Sequence, residues 1–255
     1  MQYFSHDGFE LAYLDRQPAS GEGDPVLMIH GFASSHYVNW VSPGWFKTLN
    51  DGGYRAIAFD NRGHGSSSKS YDEADYTPAR MASDAAALLD HLGIERAHVM
   101  GYSMGARVSA FMALSNPDKV ATLVLGGLGI GLVDGVGDWD PIADALLAED
   151  PATISHARGR SFRAFADQTR SDRRALAVCI VGSRASMSED DVARIAQPTL
   201  IAVGTKDDIA GSPNELAALM PNAKAFHIEG RDHMLAVGDK SFKQRVLEFY
   251  AENPL

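Results

Sequence analysis

Gly101-Tyr102-Ser103-Met104-Gly105 governs how the rest of the chain is read. It fits G-x-S-x-G and lies between a short apolar run, Ala97 to Met100, and a helical run, Ala106 to Leu114. A chain that passes from strand to helix across one residue strains that residue's backbone, at a cost of about 1–3 kcal/mol. Small residues two positions to either side keep the chain from clashing as it folds back, which accounts for both glycines. The same turn lifts the Ser103 hydroxyl clear of the backbone and aims the N-terminal N–H groups of the next helix at any negative charge that develops there. The five letters alone occur often by chance. Their setting between strand and helix makes them informative.

Working outward, short apolar runs alternate with helical patterns, as expected for a mostly parallel sheet covered by helices on both faces. Asp7-Gly8 between Tyr3-Phe4 and Phe9 to Leu14 predicts an opening hairpin. Strands are expected at Val26 to Ile29, Ala56 to Phe59, Ala97 to Met100, Ala121 to Leu125, Thr199 to Val203 and Ala223 to Ile228. Most are continuous apolar runs, which suits burial on both faces. Thr77 and Pro78 predict the start of a helix that Gly93 ends, with Met81, Ala85, Leu88, Leu89 and Leu92 on one face. A last helix runs from about Lys240 to Ala251 and buries Phe242, Val246, Phe249 and Tyr250. From 128 to 197 only helical patterns follow a glycine-rich lead-in, and loops beyond about 12–15 residues are uncommon in compact domains. This segment is read as a helical cap inserted into a core made of 1–127 and 198–255, with Gly126 to Gly131 as a flexible hinge.

A serine hydroxyl is a weak nucleophile near neutral pH and needs a base. His233 follows strand Ala223 to Ile228 in the loop Gly230-Arg231-Asp232-His233-Met234, at the same carboxyl edge of the sheet as Ser103. His227 and His98 fall inside strands, where they should point into packing, and His91 falls on a helix. The base in turn needs a carboxylate to fix its tautomer. Gly204-Thr205-Lys206-Asp207-Asp208 follows strand Thr199 to Val203 at that edge. Asp207 is the choice, with Asp208 as the alternative. The oxyanion donors are expected from the backbone N–H groups of Phe32, in the turn His30-Gly31-Phe32, and Met104. Tyr102, Trp139 and Met234 are candidates for contact with substrate. Phe162 and Phe165, with Trp139, read as packing residues of which one or two line the pocket.

Composition narrows the partners. Lys and Arg number 23 against 33 Asp and Glu, a formal charge of −10, so no basic surplus exists to neutralise nucleic-acid phosphates. The acidic balance mildly favours neutral or cationic substrates over polyanions. Arginines between Arg158 and Arg174 alternate with Asp167 and Asp172 and read as a solvated helix face. The one cysteine, Cys179, excludes an intrachain disulfide and sits in an apolar run as a buried thiol. No metal or cofactor motif is present. Gly126-Gly127-Leu128-Gly129-Ile130-Gly131 fails the G-x-G-x-x-G spacing in every register. No leader and no apolar stretch of about 18 residues is found, so the expectation is a cytoplasmic protein that does not engage membranes.

With Ser103, Asp207 and His233 in that chain order, the sequence resembles the α/β-hydrolase family along nearly its whole length. Asp60-Asn61-Arg62-Gly63-His64-Gly65-Ser66 is similar to the D-x-R-G-x-G-x-S turn of its esterase-like and epoxide-hydrolase-like branches. The resemblance implies an eight-stranded sheet with a lid after the sixth strand. Gly230-Arg231-Asp232-His233 departs from the family's frequent Gly-x-Gly-His, which bears on the local loop. A serine nucleophile sets the chain apart from epoxide hydrolases and haloalkane dehalogenases, whose alkyl-enzyme esters require a carboxylate. Form and size resemble carboxylesterases, 3-oxoadipate enol-lactonases and cofactor-free perhydrolases. The implied activity is hydrolysis of a small carboxylic ester or lactone. The alternatives are acyl transfer to an acceptor such as peroxide on the same residues, and a ligand receptor without turnover.

Overall fold

The computed structural model describes all 255 residues, Met1–Leu255. Eight strands form one sheet: β1 (Gln2–His6), β2 (Phe9–Arg16), β3 (Pro25–Ile29), β4 (Arg55–Phe59), β5 (Ala97–Tyr102), β6 (Val120–Gly126), β7 (Thr199–Gly204) and β8 (Ala223–Ile228). Their spatial order is β1-β2-β4-β3-β5-β6-β7-β8. β1 pairs antiparallel with β2, and β2 antiparallel with β4; the remaining pairs are parallel. The opening hairpin turns on Asp7 and Gly8, both at positive φ, as a tight two-residue turn requires.

Ten helices complete the chain: α1 (Trp45–Asp51), α2 (Pro78–His91), α3 (Met104–Ser115), α4 (Gly131–Asp134), α5 (Asp140–Leu147), α6 (Ala157–Gln168), α7 (Arg173–Gly182), α8 (Glu189–Ala193), α9 (Pro213–Leu219) and α10 (Lys240–Glu252). The central strands divide their side chains between two cores. Leu27 and Ile29 of β3 point to the larger one with α2 and α3, while Val26 and Met28 join α1 and α10 on the other face. That two-sided burial is why these strands read as unbroken apolar runs. Thr77 caps α2 by accepting from the Arg80 N–H, and Asp239 caps α10 by accepting from the Ser241 N–H. Between β6 and β7 there is no strand, only helices α4 to α8 and the connections between them.

Three local expectations change. His227 does not point into packing: β8 is an edge strand, half open to water, and the His227 ring is exposed beside the Asn214 amide at 3.2 Å. Arg163 does not sit on a solvated face. It is buried and donates to the carbonyls of Ala145 and Ala148, tying α6 to α5, with Asp167 at 2.9 Å. The Gly126 to Gly131 stretch is a packed crossing instead of a flexible hinge. The N–H groups of Gly129 and Ile130 donate to Ala210 and Ser212 carbonyls, and a Cβ on Gly129 would lie 2.5 Å from the Gly211 oxygen. Cys179 is buried as expected. No helix is long and apolar enough to cross a membrane.

One buried ion pair fixes the turn after β4 to α2. Arg62 Nε and Nη2 each lie 2.7 Å from an oxygen of Asp84, both side chains are sealed from water, and the guanidinium stacks over Phe9 at 4.1 Å. Removing the carboxylate leaves the buried cation with only Asp7, half-exposed and 3.5 Å away, so Asp84→Asn should cost about 3–5 kcal/mol. Urea unfolding of the variant measures this, and a loss below about 1 kcal/mol would show that Asp7 or water takes over the charge of Arg62.

Three imidazoles are buried in the neutral form. Burial lowers His30 to about 4, His64 to about 3 and His98 to about 4, from an ordinary 6.5. Because the folded values lie below the unfolded one, their contribution is complete above pH 6.5 and is lost as pH falls toward 4. Each should remove about 1.4 kcal/mol of stability per pH unit across that window. Unfolding free energies at pH 7, 6 and 5 test this; equal values at all three would contradict neutral burial.

Candidate active site

Ser103 stands at the junction of β5 and α3 with φ 55° and ψ −114°, a conformation that L-residues other than glycine rarely adopt. Glycine is required on both sides. A Cβ on Gly101 would lie 2.1 Å from the Gly105 carbonyl oxygen, and one on Gly105 would lie 2.0 Å from that of Ile29. The helix can therefore close against β5 and β3 only where both side chains are absent. The Ser103 N–H donates to the Gly126 carbonyl at 2.8 Å, which pins the turn to the end of β6.

The β7 and β8 loops bring the other two side chains to that hydroxyl. His233 Nδ1 lies 2.8 Å from Asp207 Oδ2, and His233 Nε2 lies 3.0 Å from Ser103 Oγ. The carboxylate accepts from Nδ1–H, which leaves Nε2 to accept the serine hydroxyl proton. The other Asp207 oxygen accepts from the N–H groups of Ile209 and Ala210, and the carboxylate has no exposed surface. Burial pushes this carboxyl up, but the hydrogen bond and charge of His233 with those two N–H groups outweigh it and hold Asp207 below the ordinary range. Asp208 faces away, with its side chain 84 % exposed and 3.6 Å from the Arg158 guanidinium on α6.

The loop carrying His233 is built without the second glycine. Gly230 takes φ +71°, and Asp232 Oδ1 accepts from the N–H groups of Met234 and Leu235. Gly204 lets this loop approach, since a Cβ there would meet the Arg231 carbonyl oxygen at 2.2 Å. Tyr102 lies under the imidazole, and its hydroxyl donates to the His233 carbonyl at 2.6 Å.

Across the sheet, Ile29 of β3 is in register with Gly101 of β5. The loop after β3 therefore ends beside the serine. Phe32 lies outside every helix and strand, and its N–H makes no hydrogen bond. Met104 is the first residue of α3, a position whose N–H has no partner within the helix. Both residues line a cavity together with Ser103. The loop is held from behind: the Gly31 N–H donates to Asn39 Oδ1 at 2.7 Å, and the Asn61 N–H donates to His30 Nε2 at 2.9 Å. His36 donates to Asp60 Oδ1 from its N–H and from Nδ1, both at 2.8 Å. Burial raises the Asp60 carboxyl, yet these bonds, the neighbouring imidazoles and the Ser66 N–H hold it well below the carboxylate range. Asn39 and His36 carry no motif and were not legible in the sequence. Their only signal is proximity in sequence to His30-Gly31-Phe32.

Two cavities meet at Ser103. The larger, about 350 Å³, is lined by aromatic and aliphatic side chains including Tyr102, Trp139, Phe162, Phe165 and Met234, with His233 at its edge. Phe162 and Phe165 thus face the site, and Phe162 also packs on Phe32 at 5.5 Å between ring centroids. The smaller, about 100 Å³, contains Phe32, Ser103, Met104 and Trp139 but not His233. No three His, Cys, Asp or Glu side chains gather so as to hold a metal ion.

Comparison with known proteins fits this geometry. Epoxide hydrolase 2 of Siraitia grosvenorii is 38 % identical over 125 residues, 49 % of this chain. The match spans only 39 % of that protein's length. A non-heme chloroperoxidase, CPO-A1 of Kitasatospora aureofaciens, is 27 % identical over 96 % of this chain and 97 % of its own. Among solved structures, a hydrolase from Pseudomonas aeruginosa PA01 superposes with a TM-score of 0.79 at 27 % identity, covering 97 % of each chain. The family described as the alpha/beta hydrolase fold matches residues 24–177, more than half of the sequence. On that match, joined to the eight-stranded sheet and the strand-to-helix turn at Ser103, the chain belongs to the alpha/beta hydrolase family.

Proposed function

We propose that the protein hydrolyses a small carboxylic ester or lactone through an acyl-enzyme on Ser103, with His233 as general base and Asp207 as the carboxylate that orients it. The observation that carries this reading is the unbroken line from Asp207 to His233 to Ser103, with separations of 2.8 and 3.0 Å. His233 Nε2 takes the hydroxyl proton as Ser103 Oγ bonds to the carbonyl carbon. The N–H groups of Phe32 and Met104 receive the carbonyl oxygen as it becomes an oxyanion. Collapse breaks the bond to the leaving oxygen, which takes the proton from His233. A water then gives a proton to the same Nε2 as its oxygen attacks the acyl carbon, and the proton returns to Ser103 as the acid leaves.

The helical segment 128–197 serves as the lid in this reading. It supplies Trp139, Phe162 and Phe165 to the larger cavity. A serine where epoxide-opening relatives need a carboxylate supports an acyl intermediate over an alkyl one. Full-length similarity to a protein named as a non-heme chloroperoxidase favours one second reading, in which peroxide replaces water as the acyl acceptor.

Ser103→Ala should lower ester turnover by a factor on the order of 10⁶. Steady-state assays with 4-nitrophenyl acetate and butyrate measure it, and activity within tenfold of the parent would remove Ser103 from the mechanism. Asp207→Asn should lower kcat by about 10⁴ through loss of the required tautomer, whereas Asp208→Asn should stay within a few-fold. The opposite ranking would transfer the role to Asp208.

A further inference from the structure

The smaller cavity at Ser103 carries a charge that nothing in the protein balances. Arg107 lies one turn along α3 from Ser103, about 6 Å up the helix axis, and lines this cavity with Ser183 and Arg184. It is 5 % exposed. Arg184 has its counter-charge in Asp140. Arg107 has none: no Asp or Glu lies within ion-pair distance of it, and none lines the cavity. Burial lowers its pKa to about 10, with no carboxylate to offset that, and it still carries full positive charge at neutral pH.

The guanidinium holds only carbonyl oxygens. Nη1 donates to Leu132 at 3.2 Å and Ala185 at 3.0 Å, and Nη2 donates to Gly131 at 2.9 Å. Those bonds use three of its five N–H donors. Nε–H has no acceptor, and it is not among the polar atoms sealed off inside the protein. It therefore keeps some accessible surface, on a residue that lines this cavity. Two other arginines show what that edge binds: Arg55 and Arg62 each use Nε and Nη2 together to grip a carboxylate, Asp15 and Asp84. A buried charge without a partner is costly unless a ligand supplies one.

The two cavities also sort the two halves of an ester. The leaving oxygen takes its proton from His233, which borders the larger aromatic cavity and not the smaller one. The acyl chain then lies in the smaller cavity, beside Met104 and toward Arg107. We infer that this cavity is an acyl-side carboxylate subsite, and that the substrate class is a monoester of a short dicarboxylic acid with an apolar leaving group. This rests on the ester reading of Ser103 given above. The negative net charge of the chain argues mildly the other way, but field strength at the reacting centre is set by the nearest unscreened group.

The test compares monobenzyl succinate with benzyl butyrate, which differ in having a carboxylate or a methyl at the far end of the acyl chain. Acid release by the unmodified protein is followed by pH-stat. A charge-assisted bidentate contact should favour the half-ester by about ten- to hundredfold in kcat/KM. Arg107→Lys should keep part of that preference, and Arg107→Met should bring the ratio toward one. A ratio at or below one in the unmodified protein overturns the subsite while leaving ester hydrolysis standing. Because Arg107→Met also removes the bonds that hold α4, calorimetry on Ser103→Ala gives a second reading: monobenzyl succinate should bind at least tenfold tighter than benzyl butyrate, and equal affinity overturns the subsite. Tight binding of the half-ester with no turnover of either ester overturns the ester reading and leaves the carboxylate site.

Discussion

The site depends on one close approach: α3 rests so near β3 and β5 that side chains at Gly101 and Gly105 cannot be present. The clash distances of 2.1 and 2.0 Å are to backbone carbonyls, which cannot step aside. This contact places Ser103 at positive φ and starts α3 with its free N–H groups beside the end of β3. Parallel register then does the rest. Ile29 opposite Gly101, and Gly204 opposite Ile228, bring four loops to one edge of the sheet. The order β4-β3-β5 reverses the winding there, the point at which open sheets of this kind leave a crevice.

Much of this was legible in the sequence because it was written in short-range chemistry. Glycines flanking a serine, apolar runs long enough for strands, and Thr77-Pro78 before a helix each have a local cause. The positions of Asp207 and His233 followed from their loops succeeding β7 and β8. What could not be read depended on which strand lies at an edge and on what packs across a long insertion. His227 reads as buried when β8 is taken for an interior strand. Arg163 reads as solvated until α5 supplies the carbonyls of Ala145 and Ala148. Asn39 and His36 gain their roles only when a helical turn, Tyr37–Val41, swings back onto the loop after β3.

Charge in this molecule is organised by depth. At the surface acidic residues prevail, and single ion pairs there add little to stability. Inside, Arg62 is matched bidentately by Asp84, Asp60 by His36 and the Ser66 N–H, and Asp207 by His233. Arg107 breaks that pattern. It also holds Gly131 and Leu132 of α4 together with Ala185 beyond α7, so the same guanidinium ties the start of the insertion and the stretch after α7 to α3. A ligand that drew on its free edge would act on the support of the segment that covers it.

The hydroxyl of Tyr102 binds the His233 carbonyl from the residue immediately before Ser103. Serine and imidazole therefore share a short rigid tether, and their main chains cannot drift apart independently. In the proposed reaction the imidazole has to serve first the serine oxygen and then the departing group. With its backbone moored, that shift reduces to rotation about the side chain's own bonds. The mooring comes from β5 and not from the helical segment, so the alignment of the proton-transfer pair does not depend on the helices between β6 and β7.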